Sequence, residues 1–337
     1  MRKSGAQVAV GIILLLIALT PLRPARGQPA SLPSVCEELA FSTEEDWFSQ
    51  DVVYSDGDLL TVYTDDTGTI RCLICARNAD LLADTFDVGV DLGLDAVDVI
   101  DADTYLVAFS TELDSSNAGQ FTAGDLLVTN GVIIPNQALT GLFQVGYDLG
   151  LDAVHFVGAP QAVHAFLGAA QQHSRDDWLR TPNLLVDTLD EFDVDILFST
   201  EGTLGPVTAP KFLDGDLLSA RYGSIVAGNA VLMPASAPAG IPSDGVDFGL
   251  DAVTSDRLGN VEQLRFSTEI LYDGDPGSTD GDVLLYGNGV THTNKDLVQC
   301  FGPRADFLGL DALHLGFGED EPPDVYLPII LKNFQGR

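Results

Sequence analysis

The chain has 337 residues, with 16 Lys and Arg against 50 Asp and Glu, a formal net charge of −34. That charge excludes a general nucleic-acid binder, because neutralising phosphates takes clustered Lys and Arg. A hydrophobic content of 45% is ample for a packed core, and four Cys are too few for a disulfide-built scaffold.

Residues 1–27 read as a signal peptide. Arg2 and Lys3 precede an apolar run from Val8 to Thr20, which is short for a membrane span. Ala25-Arg26-Gly27 offers small residues for cleavage after Gly27, and an uncleaved anchor is the other reading. Pro33-Ser34-Val35 before Cys36 is not a lipobox. Cleavage removes four basic residues and leaves 12 basic against 50 acidic, or −38. No other apolar stretch reaches membrane length, so a secreted, extracellular or cell-surface location is expected.

The body of the chain repeats itself. Phe-Ser-Thr-Glu starts at Phe41, Phe109, Phe198 and Phe266. A Gly-Asp motif follows each, with Asp58, Asp125, Asp216 and Asp282 at a nearly constant distance beyond the Glu. Gly-Leu-Asp-Ala then appears at Gly93, Gly150, Gly249 and Gly309. Four β repeats are expected, at about 36–100, 94–154, 183–254 and 250–316, with an inserted segment at 155–182 and a tail at 317–337. In the second unit, 94–100 and 104–112 form a hairpin around Asp101-Ala102-Asp103, because Asp favours turns. Residues 125–133 supply a third strand and 142–149 a fourth.

The ends of the array are complementary. The first Phe-Ser-Thr-Glu strand has no Gly-Leu-Asp-Ala strand before it, and the last Gly-Leu-Asp-Ala strand has no successor. Pairing 310–316 with 37–44 closes an all-β four-bladed propeller and covers both edges. A competing pattern supports two β domains of two repeats each, meeting near 170–182. In it, 151–168 aligns with 94–111, placing Phe166 on Phe109, and 183–201 repeats the hairpin. Residues 161–180 are the one place with helical spacing, at Val163, Phe166, Leu167 and Ala170.

Units of this form resemble tandem β-repeats of secreted bacterial proteins, over about 36–316. The resemblance implies location and architecture rather than activity. Asp95-Ala96-Val97 and Thr104-Tyr105 also resemble the layout of hemopexin-type blades. The tail VYLPIILKN (325–333) is similar to apolar C-terminal tails of some secreted bacterial proteins, and a last edge strand is the other reading.

Motifs for catalysis are absent. There is no Gly-x-Ser-x-Gly elbow, no His-Glu-x-x-His and no phosphate loop. A helix would set His164 and His173 on opposite faces. Cys72 and Cys75 have redox spacing but a strand context, TIRCLICARN, which points them apart. Each is expected to be structural or bonded to Cys36 or Cys300, giving two disulfides or one plus a buried pair. The acidic run 273–282 reads as a solvated turn, since it lacks the closing Glu of a calcium loop.

If the array closes, Asp95, Asp152, Asp251 and Asp311 gather around its axis and must be protonated, hydrogen-bonded or neutralised by a cation such as Ca2+. The other reading turns each Asp outward onto backbone N–H groups. The expected function is a binding or structural module for an extracellular protein or carbohydrate, with a binding face on loops such as 72–90 and 229–246. The alternative is a carbohydrate-active hydrolase using an asymmetric carboxylate pair. No catalytic residue is assigned.

Overall fold

The computed structural model describes residues 31–205, 211–233, 247–273, 275, 277–305 and 307–316. The segment expected to be a signal peptide, the 317–337 tail and most of the 229–246 loop lie outside them. The described chain is mostly β, with four antiparallel four-stranded sheets, one two-stranded hairpin and short helices. No helix among the described residues is long and apolar enough to cross a membrane.

Each four-stranded sheet is assembled the same way. A strand following Gly-Leu-Asp-Ala sits at one edge, the Phe-Ser-Thr-Glu strand pairs with it, and the strand after the Gly-Asp motif comes third. In the second sheet these are Val97–Asp101, Leu106–Phe109 and Leu126–Val128, followed by Ile133–Ile134. The third sheet begins with Val154–Val157 against Asp195–Phe198, and the fourth with Ala252–Thr254 against Arg265–Ser267. The first sheet takes its edge strand from the far end of the chain. Leu313–Leu315 pairs with Leu39–Phe41, with Leu39 opposite Leu315 and Phe41 opposite Leu313. The two halves of the sequence therefore share a sheet.

The four edge strands touch in a closed cycle, each meeting the next and Leu313–Leu315 meeting Val97–Asp101. Four apolar clusters follow the same order, between first and second sheets, second and third, third and fourth, and fourth and first. Strand alternation explains the repeated tripeptide. Phe109, Phe198, Phe266 and Phe41 each pack into the cluster shared with the preceding sheet. The next residue points the other way. Ser42, Ser110, Ser199 and Ser267 donate to the carbonyls of Leu94, Leu151, Leu250 and Leu310 in the following sheet. Ser199→Ala should therefore cost about 1–3 kcal/mol by stranding a buried carbonyl. Urea denaturation of the variant measures it, and an unchanged midpoint would refute the seam role.

Several sequence expectations need correction. The strand expected at 125–133 is two strands around Asn130-Gly131, with Gly131 at φ +101°. Asn-Gly favours that tight reversal. Residues 142–149 are consequently not the fourth strand and hold only a 3-10 turn, Gly141–Phe143. The alignment of 151–168 with 94–111 fails beyond Val157. Pro160–Ala170 is a helix with Pro at its start, and Val163, Phe166, Leu167 and Ala170 are all buried between the second and third sheets. Phe166 is thus not the counterpart of Phe109. A second helix, Arg175–Arg180, opens on a Ser174–Asp177 capping box. A third, Leu184–Phe192, replaces the hairpin expected at 183–201, leaving only Asp195–Phe198 as strand. The 72–90 segment is not an open loop either. It contains most of the strand Ile70–Ala76 and the helix Asn78–Phe86, with Leu81, Leu82 and Phe86 buried.

All four Cys are bonded, as Cys36–Cys75 and Cys72–Cys300. A Cys36–Cys300 bond is not formed. Cys72 and Cys75 diverge from their strand as its pleat requires, and Cys72 ties the first sheet to the turn Gln299–Phe301 that follows the fourth.

Candidate functional site: an acidic cup closed by a charged layer

The Gly-Leu-Asp-Ala motif enters each edge strand and brings its Asp to a common place. Asp95, Asp152 and Asp251 are 7%, 6% and 4% exposed, and Asp311 is half-buried. The Oδ2 atoms of Asp95, Asp152 and Asp251 are buried without a hydrogen-bond partner. An outward turn onto backbone N–H groups is therefore not what these three oxygens do.

Burial, followed by neighbouring carboxylates, raises all four aspartates. Asp95 is held well above the carboxylate range by burial and then by Glu201, Glu112 and Glu269. Asp152 is raised by burial, Asp251 and Asp95, and Asp251 by burial, Glu269, Glu44 and Asp311. Asp311 is pushed up to about 9 by burial, Asp95 and Glu112. The sequence-selected set is thus one electrostatic cluster.

A second tier lies on the solvent side. Glu44, Glu112, Glu201 and Glu269, which end the Phe-Ser-Thr-Glu motifs, are exposed. Each covers the Gly of its own sheet's Gly-Leu-Asp-Ala, so a Cβ on Gly93, Gly150, Gly249 or Gly309 would strike the Glu side chain. Gly93, Gly150 and Gly249 also have φ of +76°, +80° and +68°, which L side chains rarely adopt. Partial burial and neighbouring acids lift Glu44 and Glu112 to about 7. One group is tight enough for a metal ion. Carboxylate oxygens of Asp152, Asp251 and Glu269 lie within 4.8 Å of one another. Oxygen-only donors of this kind suit Ca2+. Asp95 and Asp311, expected to join them, belong to the cluster but not to the trio.

Three residues beyond each motif Asp the repeat breaks. The positions hold Asp98, His155, Thr254 and His314, all buried. Asp98 is contacted from every other sheet. His314 Nδ1 lies 2.8 Å from Oδ1, Arg257 donates to Oδ2 at 2.8 Å, and the Phe156 N–H donates to Oδ2 at 2.7 Å. His155 Nδ1 is 3.4 Å from Oδ2. Burial alone would raise Asp98, but Arg257, His155 and His314 outweigh it and hold the carboxyl well below its ordinary range. This buried layer joins all four sheets three residues beyond the motif aspartates.

The Gly-Asp motif serves the fold instead. Asp125, Asp216 and Asp282 accept through Oδ2 from Thr122, Leu213 and Thr279 N–H groups. Their Oδ1 atoms accept from the N–H of Asn136, Asn229 and Asn294. Sequence reading missed these Asn residues and their counterpart Asn78. Asn78 and Asn136 accept from Leu92 and Leu149 N–H and donate to the Gly93 and Gly150 carbonyls, holding the cup motif in place. Within the run 273–282, residues 274 and 276 lie outside the described residues.

His164 is 3.4 Å from Asp101, and His173 packs on Trp178, so the two share no site. Comparison of the chain with protein-family models, curated proteins and solved structures returns no match.

Proposed function

We propose that the four sheets are blades of a four-bladed β-propeller that works as a secreted binding module and holds a divalent cation, Ca2+ by donor chemistry, in the axial cup. The first-to-last strand pairing, the cycle of edge strands and the four seams support the propeller. Two disulfides with no free Cys support an oxidising, extracellular location. The single observation that carries the cation reading is the set of buried, unpartnered Oδ2 atoms on Asp95, Asp152 and Asp251. Asp152, Asp251 and Glu269 would hold the ion, with Asp95 and Asp311 across the cup. Isolated buried carboxylates are costly, and a cation offsets that cost. The burial of Asp152 and Asp251 suits an ion rather than a sugar ring, which argues against the hydrolase.

Thermal unfolding in millimolar Ca2+ and in chelator, at pH 5, 7 and 9, tests this reading. The cup carboxylates have folded-state pKa values above their unfolded ones, reaching about 7 at Glu44 and Glu112 and about 9 at Asp311. Their contribution to stability is full below the unfolded value and is lost as pH rises through the folded value. Chelated protein should therefore become less stable from pH 5 to pH 9. Calcium binding must displace protons, so its effect should be least at pH 5 and greatest at pH 9. At a hundred times Kd the stabilisation is about 2.7 kcal/mol. Asp152→Asn with Asp251→Asn should abolish the calcium shift and reduce the decline with pH. Identical midpoints with Ca2+ and chelator at all three pH values would rule the cation out.

A further inference from the structure

The first sheet departs from the other three at one place, and a pocket lies there. Two residues before the Gly of Gly-Leu-Asp-Ala the other sheets carry Asp91, Asp148 and Asp247, and each accepts from that Gly's N–H. The first sheet has Phe307 at this position. Its Gly309 N–H donates instead to Glu45 Oε2 at 3.0 Å. Glu45 follows the motif Glu, where the other sheets have Leu113, Gly202 and Ile270. Acid and aromatic have thus changed places. Glu45 meets the need for an acceptor, while Phe307 joins none of the four apolar clusters and is 41% exposed. We propose that this pocket, between the hairpin Trp47–Ser49 and Val52–Tyr54 and the loop entering at Leu308, binds a neutral carbohydrate chain.

The pocket has a volume of about 440 Å³, a size typical of small-ligand sites, and none of its lining residues belongs to the cup. Its walls include Glu45, Asp46, Trp47, Phe48, Arg304 and Phe307. A pyranose ring has apolar C–H faces and a rim of hydroxyls that both donate and accept. Phe307 and Phe48, the latter 57% exposed, offer aromatic surface to such a face. Trp47 is held in place by stacking on Tyr54, with ring centroids 4.8 Å apart, and by the edge of Phe301. Hydroxyl partners of both kinds surround these rings. Glu45 and Asp46 are exposed, and each has one oxygen fixed by a backbone N–H, from Gly309 and Asp56, so the other oxygen is a positioned acceptor. Arg304 is exposed, has no hydrogen-bond or ion-pair partner among the described residues, and supplies donors. Charges of both signs in one small pocket suit an uncharged ligand rich in hydroxyls. A peptide would be taken by a continuous apolar groove or a bare strand edge, whereas these aromatic side chains alternate with charged ones.

Isothermal titration of the full chain, in millimolar Ca2+ and again in chelator, decides the matter. The probes are cellotetraose, mannotetraose and the control peptide acetyl-Gly-Phe-Leu-Gly-amide. At least one tetrasaccharide should bind, equally well in both buffers, and the peptide should not. Phe307→Ala should weaken the sugar by about tenfold, the loss expected for one aromatic contact. Arg304→Ala should weaken it in the same direction. Both side chains are exposed, so both variants should unfold at the wild-type temperature. The chain has two Trp, and Trp178 is buried elsewhere, so the sugar should change the fluorescence of Trp47 and should still do so after Trp178→Phe. Failure of both tetrasaccharides to bind, or unchanged affinity in both variants, would overturn the proposal. Peptide binding without sugar binding would make the pocket a peptide site instead. Sugar binding that disappears in chelator would move the ligand to an ion in the cup and away from this pocket. Sugar binding intact in a protein whose stability ignores Ca2+ would remove the cation reading and leave the carbohydrate site standing.

Discussion

Replacing Cys72 and Cys300 together by alanine should cost about 5 kcal/mol, more than any other pairwise change expected in this fold. The bond joins residues 228 apart in sequence. Without it, the unfolded chain regains the freedom of that whole loop, and chain-entropy arithmetic makes the cost grow with its logarithm. The Cys36–Cys75 bond closes a loop of 39 residues, and its removal should cost about 4 kcal/mol by the same arithmetic. The longer bond also spans the junction between the fourth sheet and the first. Guanidinium unfolding of the two double-alanine variants, each with the other bond intact, compares them. The Cys72–Cys300 variant should unfold at the lower concentration. The reverse order would show that the ends of the array stay together in the unfolded chain without the bond.

Asp98→Ala should cost about 3–5 kcal/mol and lower Tm on the order of 10 °C, although Asp98 is one small side chain. Its carboxylate is fully buried, receives Arg257 from the fourth sheet and the Phe156 N–H from the third, and lies 2.8 Å from His314 Nδ1 of the first. Removing it takes the counter-charge from a guanidinium that keeps only the Phe156 and Val99 carbonyls, and leaves a buried backbone N–H without its acceptor. Arg257→Met in the Asp98→Ala background should recover part of the loss, and a double-mutant cycle isolates the coupling. The pH dependence has the opposite sign to that of the cup. Asp98 is held below its ordinary range, so its contribution is present above the unfolded value near 4 and is lost as pH falls through the folded value. If Asp98→Ala unfolds at the wild-type temperature, the layer contributes nothing to closure.

Residues that are alike in all four units were legible in the sequence. The motif order fixes which strand pairs with which, and the two unpaired ends foretell the contact of Leu39–Phe41 with Leu313–Leu315. The cup aspartates were legible for the same reason. Asp98 was not, because it lies where the units differ, and a search for identity passes over a position reading Asp, His, Thr, His. The four Asn residues were hidden by uneven spacing. Asn78 lies much farther beyond Asp58 than Asn136, Asn229 and Asn294 lie beyond Asp125, Asp216 and Asp282. The helix Leu184–Phe192 was hidden by resemblance. Its apolar residues mimic the strand pattern when aligned with the neighbouring hairpin, while burial of Leu185 and Leu189, one helical turn apart, sets the helical face. The hairpin at Asn130-Gly131 was written in the sequence as a turn signal and was overrun by a strand reading of the flanking apolar residues.

The sheet shared by both ends of the chain imposes an order on biogenesis. During synthesis, Phe41 emerges long before Leu313, the residue that covers its edge, with nearly all of the described residues lying between them. Until then the strand Leu39–Phe41 shows bare N–H and C=O groups along one side, and the apolar cluster around Phe41, Leu60 and Phe301 lacks Leu310 and Leu313. The second and third sheets are complete well before this and can form first, since their contacts are closer in sequence. Maturation therefore ends with a single late docking event. A chain truncated just short of Leu313 would retain three finished sheets and an adhesive fourth, open to strand exchange with a neighbouring copy.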